Sequence, residues 1–290
     1  MIDDERALMV DCEGESLVAV LSGAGLPAVR GVLIVVGGPQ YRVGSHRQFA
    51  LLARHLAERG VPALRFDYRG MGDSDGEART FERVDADIRC AIDRFLAIVP
   101  TLKEVVIWGL CDAASAALFY AHRDARVGGI VLLNPWVRTQ QGIARAQIRH
   151  YYLRRLLQAG LWQKVARGEF KFREAAAALV RIASEAMARR SSPRAAGESS
   201  ASESPLPDRM EEALRRFRGK ILLILSGSDL TAQEFKDVVA GSHRWRQLLA
   251  DERVTRHDLP EANHTFSRRD WRNQVERWTE AWVRSLPQRS

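Results

Sequence analysis

Apolar positions along this chain change their spacing in a regular way. Residues 31–38, GVLIVVGG, are a continuous apolar run that ends in glycines. Such a run reads as a strand buried on both faces. At about 47–59 the spacing becomes helical, with Phe49, Leu52 and Leu56 on one face. The same change recurs. VPALRFDY (61–68) predicts a strand and about 80–99 a helix; EVVIWGL (104–110) predicts a strand running straight into the helical CDAASAALFYAH, and VGGIVLLNPW (127–136) another strand. Ahead of them, 6–11 and 15–22 predict a hairpin turned at Glu13-Gly14. After residue 219 the pattern resumes with KILLILSGSD (220–229), helices near 232–250, a short strand VTRHDL (254–259) and a helix near 268–285. Strands alternating with crossover helices imply a mostly parallel, doubly wound α/β sheet with helices on both faces.

Residues 138–218 break this alternation. They carry helical spacing near 145–166, at Ile148, Tyr152, Leu156, Leu157, Leu161 and Val165. A Ser/Ala/Gly/Pro stretch at 191–207 then reads as a flexible linker. The expected organisation is a core of 1–137 and 219–290, interrupted after its sixth strand by a basic helical cap at 138–218.

Charge sharpens that division. The whole chain carries +8, and segment 138–218 holds 17 Lys or Arg against 8 Asp or Glu, so the remainder is close to neutral. The excess suits an anionic partner, either a membrane surface or a glycan carrier, as well as a merely solvated face. No nucleic-acid-reading motif accompanies it, which argues against nucleic acid. No run of eighteen apolar residues and no basic-then-apolar leader occurs, so the expected location is the cytoplasm. Three cysteines, Cys12, Cys90 and Cys111, have no C-x-x-C spacing. They predict neither a disulfide framework nor a zinc site, and no metal or cofactor is expected.

Cys12 and Cys90 read as small buried apolar residues. Cys111 differs. WGLCDAAS places it between Gly109 and Ala113, where a strand becomes a helix. The elbow written G-x-S-x-G has that context, with small residues flanking the nucleophile because the turn is tight. Here cysteine replaces serine and Ala113 the second glycine. Cysteine reacts as its thiolate, which a helix N-terminus and a nearby imidazolium favour. Ser115, one turn into the helix, is a rival expected to face the sheet. Such an elbow needs an acid and then a histidine downstream. Asp229 follows the strand ILLIL at the edge where ligand groups collect, although it is equally a good helix N-cap. His264, in LPEANHTFS, precedes the last helix and is the expected base. His46, His55, His122, His150, His243 and His257 lack that context.

Acyl chemistry also needs backbone donors for a developing oxyanion. One is the N–H of Asp112. The second falls in GGPQYR, where Pro39 has no N–H, leaving Gly38, Gln40 or the Tyr41 side chain as alternatives.

With these residues placed, the chain resembles the α/β-hydrolase superfamily over nearly its whole length. GGPQYRVGSHRQF, FDYRGMGDSDG (66–76) and WGLCDAASAAL together are similar to the exosortase A system-associated hydrolases of type 1. That resemblance implies a bacterial hydrolase linked to protein export and exopolysaccharide. The Cys-His-Asp order is similar to that of dienelactone hydrolases and implies an ester, lactone or thioester substrate. Acyl transfer uses the same three residues, and a non-catalytic cleft-binding or membrane-surface protein is the reading from another class.

Overall fold

In the computed structural model, residues 5–38, 40–137 and 204–287 are described. The expected cap helix and residues 191–203 of the expected linker lie outside these residues, and so do the surfaces expected for a lipid-facing or glycan-carrier role.

The hairpin forms as β1 (Glu5–Cys12) and β2 (Glu15–Ser22). β3 (Arg30–Val35) follows, then α1 (Gln48–Ala57), β4 (Ala63–Phe66), α2 (Asp85–Ile98), β5 (Glu104–Leu110), α3 (Asp112–Ala121) and β6 (Val127–Leu133). After the insertion come α4 (Leu206–Arg216), β7 (Lys220–Ser226), α5 (Leu230–Gly241), α6 (His243–Leu249), β8 (Val254–Leu259) and α7 (Arg269–Ser285). The eight strands form one sheet ordered β1-β2-β4-β3-β5-β6-β7-β8. β2 pairs antiparallel with both β1 and β4, and every later pairing is parallel.

The apolar runs explain the order. β3, β5 and β6 are buried at every position, as strands covered by helices on both faces must be. β8 is half exposed and sits at the edge. A parallel sheet also brings the C-terminal ends of its strands to one edge, the usual place for a site.

The structure corrects one expected boundary. The chain divides into two units, Met1–Arg138 with Pro205–Ser290, and Thr139–Ser204. Residues 206–216 were expected in the insertion but belong with the core. Met210, Ala213 and Leu214 on α4 are buried in the main hydrophobic cluster. The helix is otherwise charged, so a single apolar stripe decides its place.

The sequence FDYRGMGDSDG acts here as a tie between elements. Arg69 is 2% exposed, and its side chain and its backbone N–H both donate to Asp87 on α2, itself fully buried. Glu13 and Glu15 engage the same guanidinium from the hairpin. Asp67, also fully buried, accepts the N–H groups of Arg42 and Asp73. Removing one member of a buried ion pair strands its partner's charge. Asp87→Ala is therefore expected to destabilise the fold by about 3 kcal/mol, read from the urea midpoint. An unchanged midpoint contradicts this account of the motif.

Candidate active site

Cys111 occupies a strained turn. It is the N-cap of α3, with φ 63° and ψ −124°, a conformation non-glycine residues rarely hold. Its N–H donates to Leu133 O at 2.9 Å, and its carbonyl accepts from Ala114 and Trp136 at 3.1 and 3.2 Å. These bonds fix the turn between β5, α3 and the end of β6. Gly109 makes it sterically possible, since a Cβ there would lie 2.5 Å from the Ala113 carbonyl group. Ala113 is almost fully buried, and its single methyl fits where the usual pattern has glycine. Ser115 is buried, and its hydroxyl donates to Trp136 O at 2.8 Å. It faces the packed interior, as expected for a structural serine.

His264 and Asp229 arrive from the neighbouring strands. Asp229 follows β7 as the N-cap of α5, and His264 lies in the turn between β8 and α7. His264 Nδ1 is 2.9 Å from Asp229 Oδ2, and the Cys111 side chain lies close enough to the ring to raise its pKa. The structure thus brings Cys111, His264 and Asp229 together at the C-terminal edge of the sheet. Asp229 both faces His264 and caps α5. Its Oδ2 also accepts Ala232 N–H at 3.0 Å, and Oδ1 accepts Thr231 N–H at 3.3 Å. Burial pushes the Asp229 pKa up, but the bond to His264 and the helix N–H groups outweigh it and hold the carboxyl below its usual value. For His264 the Asp229 hydrogen bond is the largest influence, then the Cys111 side chain. Against the opposing effect of burial they push the imidazolium pKa up to about 10.

The expected oxyanion residues form an unexpected arrangement. Gly38 N–H donates to Asp112 Oδ2 at 2.9 Å, and Ala113 N–H donates to Oδ1 at 2.9 Å. Gln40 turns its side-chain oxygen to Ser45 N–H at 3.0 Å. Tyr41 is one of two large exposed apolar side chains among the described residues. With Gln40, Met71 and Asp73 it lines an open cleft of about 470 Å³ between the loops after β3 and β4.

One residue of the site was missed by sequence reasoning. Asn134, fully buried with φ 44°, immediately follows β6. Its Nδ2 donates to the His264 carbonyl at 3.1 Å, and its Oδ1 accepts Ser226 N–H at 2.9 Å. One amide therefore locks β6, β7 and the histidine turn. The available signal was an asparagine ending an otherwise apolar strand, in LLNPW. Small displacements of a reacting group cost up to about 10² in rate. Asn134→Ala is accordingly expected to lower kcat by about 10–100-fold with little change in KM. A KM effect alone would contradict a positioning role.

Among the described residues, no cluster of three or more His, Cys, Asp or Glu could hold a metal ion. No helix among them is long and apolar enough to cross a membrane.

Comparisons with known proteins agree with this architecture. The model of a family described as the alpha/beta hydrolase family matches residues 22–277. A polyketide transferase of a Penicillium species is 30% identical over 104 residues, covering 33% of this chain and 34% of that protein. A second polyketide transferase, from Penicillium crustosum, is 28% identical over 112 residues, covering 36% of this chain and 35% of that protein. The matched region thus spans about a third of these relatives' length. Among solved structures, an esterase of Pyrococcus furiosus superposes with a TM-score of 0.65 at 13% identity, covering 98% of this chain and 91% of that one. Est1E of Butyrivibrio proteoclasticus, solved with ferulic acid bound, gives 0.63 at 16% identity, covering 97% and 99%. At such identities the structures speak for the fold alone.

Proposed function

Because this chain belongs to the alpha/beta hydrolase family, we propose that it cleaves an activated acyl bond, of an ester, lactone or thioester, with Cys111 as nucleophile. One observation carries the reading: a half-buried cysteine at φ 63° on a helix N-terminus, beside a histidine that is itself oriented by a buried carboxylate. That is the relation of nucleophile, base and orienting acid that acyl transfer requires.

The steps follow from the geometry. His264 holds the proton that leaves the Cys111 thiol, and the Asp229 carboxylate stabilises the imidazolium so formed. The sulfur attacks the acyl carbon, and the carbonyl π pair moves onto oxygen. When that pair returns, the bond to the leaving group breaks, and the leaving oxygen or sulfur takes the proton from His264. A thioester to Cys111 remains. Water then attacks it, giving up a proton to His264, and expulsion of the Cys111 sulfur releases the acid. If an alcohol or amine takes the place of water, the product is a new ester or amide.

Acyl transfer is the second reading, and the matched stretch of two proteins called polyketide transferases favours it. The motifs resembling the exosortase-associated hydrolases direct the substrate search toward acylated carriers of bacterial export and exopolysaccharide systems. A panel of acyl esters and thioesters, with and without an added alcohol or amine acceptor, tests these readings against the Cys111→Ala protein. Acceptor-dependent ester or amide formation identifies a transferase, and free acid alone a hydrolase. Equal turnover by the two proteins rejects Cys111 as nucleophile.

A further inference from the structure

The carboxylate of Asp112 lies where a developing oxyanion would be held. The donors expected for that oxyanion were the N–H groups of Asp112 and of the loop after β3. In the structure the Asp112 carboxylate accepts the N–H groups of Ala113 and of Gly38, both at 2.9 Å. The contact to Gly38 is not local helix capping, because it spans 74 residues and joins the β3 loop to the elbow. The loop is also cut to receive this carboxylate. A Cβ on Gly37 would lie 2.3 Å from Asp112 Oδ1 and 2.7 Å from Leu110 O, so only glycine leaves the space.

We propose that the Asp112 carboxylate is an internal occupant of the oxyanion cradle, which a substrate must displace, making Asp112 a gating residue for acylation. The proposal rests on the reading of Cys111 as nucleophile. An ionised carboxylate here does two things. It takes a donor that the tetrahedral intermediate needs. Its charge also opposes a second negative charge forming beside it. Protonation relieves the charge, and rotation of the side chain frees the donor.

Among the described residues, the groups that face Asp112 are few. The thiol of Cys111 precedes it, His264 comes from the β8–α7 turn, and the buried phenol of Tyr68 comes from the end of β4, where Asp112 adds to the effect of burial in holding the phenol un-ionised. The described part of the β3 loop contributes the Gly38 N–H. Burial raises the Asp112 pKa above the usual carboxylate value, against its N–H donors and His264. Its titration therefore lies above that of an exposed aspartate.

The test is single-turnover acylation by p-nitrophenyl acetate, followed as nitrophenol release and located by peptide mass spectrometry, with melting temperatures as a control. Asp112→Ala frees the Gly38 N–H and is expected to raise the acylation rate at least about tenfold, a fraction of what one oxyanion donor is worth. Asp112→Asn keeps an acceptor but removes the charge. Its advantage over wild type is expected to shrink as falling pH protonates Asp112. A folded Asp112→Ala protein that acylates no faster than wild type overturns the gate. If that variant does not fold, an Asp112→Asn to wild-type ratio that is flat with pH overturns it instead. Absence of acyl-Cys111 in wild type and in both variants rejects the nucleophile itself, and the gate with it. Acylation of the variants but not of wild type supports the gate in its strongest form.

Discussion

Replacing Cys111 by alanine is expected to cut turnover by a factor on the order of 10⁴–10⁶, the loss seen when a triad nucleophile is removed. The residual rate would come from binding and from the backbone donors alone. The fold should survive. Cys111 is half-buried and packed only at the margin of the core, and alanine adds no atoms to the strained turn at φ 63°. The elbow is held by backbone bonds to Leu133, Ala114 and Trp136, none of which uses the sulfur. An unchanged melting transition with lost turnover is therefore the predicted result. Cys111→Ser should retain part of the activity, because hydroxyl with imidazole is the commoner form of this machinery. A Cys111→Ala protein that keeps wild-type turnover on the same substrate would remove the sulfur from the mechanism.

Asp229→Asn separates the two jobs of that carboxylate. Asparagine is about as good an N-cap as aspartate, so one of the two cap contacts, to Thr231 or to Ala232, should persist and stability should change little. The bond to His264 changes in kind. An amide cannot stabilise an imidazolium, and it tolerates the wrong imidazole tautomer. In a serine triad the same change costs about 10⁴ in kcat, and a loss approaching that size is expected here. The pH profile carries a second signature. In wild type the raised His264 pKa keeps the imidazolium protonated up to about pH 10. Removing the Asp229 charge takes away its largest support, so the alkaline limb of kcat/KM should move toward neutral pH. The sign for stability follows from the same shift. A pKa raised in the folded state stabilises fully below the ordinary histidine value of 6.5 and loses that contribution as pH rises toward 10. Wild type should lose stability across that interval, and Asp229→Asn should lose less. Identical alkaline limbs in the two proteins would show that Asp229 serves only as a helix cap.

The central strands were legible because burial on both faces leaves an unbroken apolar run, as in residues 31–36. Cys111 and Gly109 were legible because a nucleophile elbow must stand between strand and helix, and because small residues have to flank it. α4 was not. Its stripe of Met210, Ala213 and Leu214 lies among arginines and glutamates that blend with the basic segment before it, so only contact with the core reveals its place. For Asp229 position and chain order favour the orienting role over the helix cap in the sequence, whereas the carboxylate makes both contacts. Asn134 and the Asp112 carboxylate were hidden for a different reason. Each acts across the sheet, on His264 130 residues away and on Gly38 74 residues away. Such pairings follow from strand order and side-chain rotamer, neither of which leaves a local mark in the chain.

The most direct test of the account is to find the acyl group. The protein is mixed with a limiting activated ester near neutral pH, quenched in acid and digested, and the modified peptide is sequenced by mass spectrometry. Wild type should carry one acyl group on Cys111, and the Cys111→Ala protein none. His264→Ala, with no base to take the thiol proton, should acylate far more slowly. Acylation of another residue, or labelling of Cys111 at the same rate without His264, would contradict the mechanism proposed for this site.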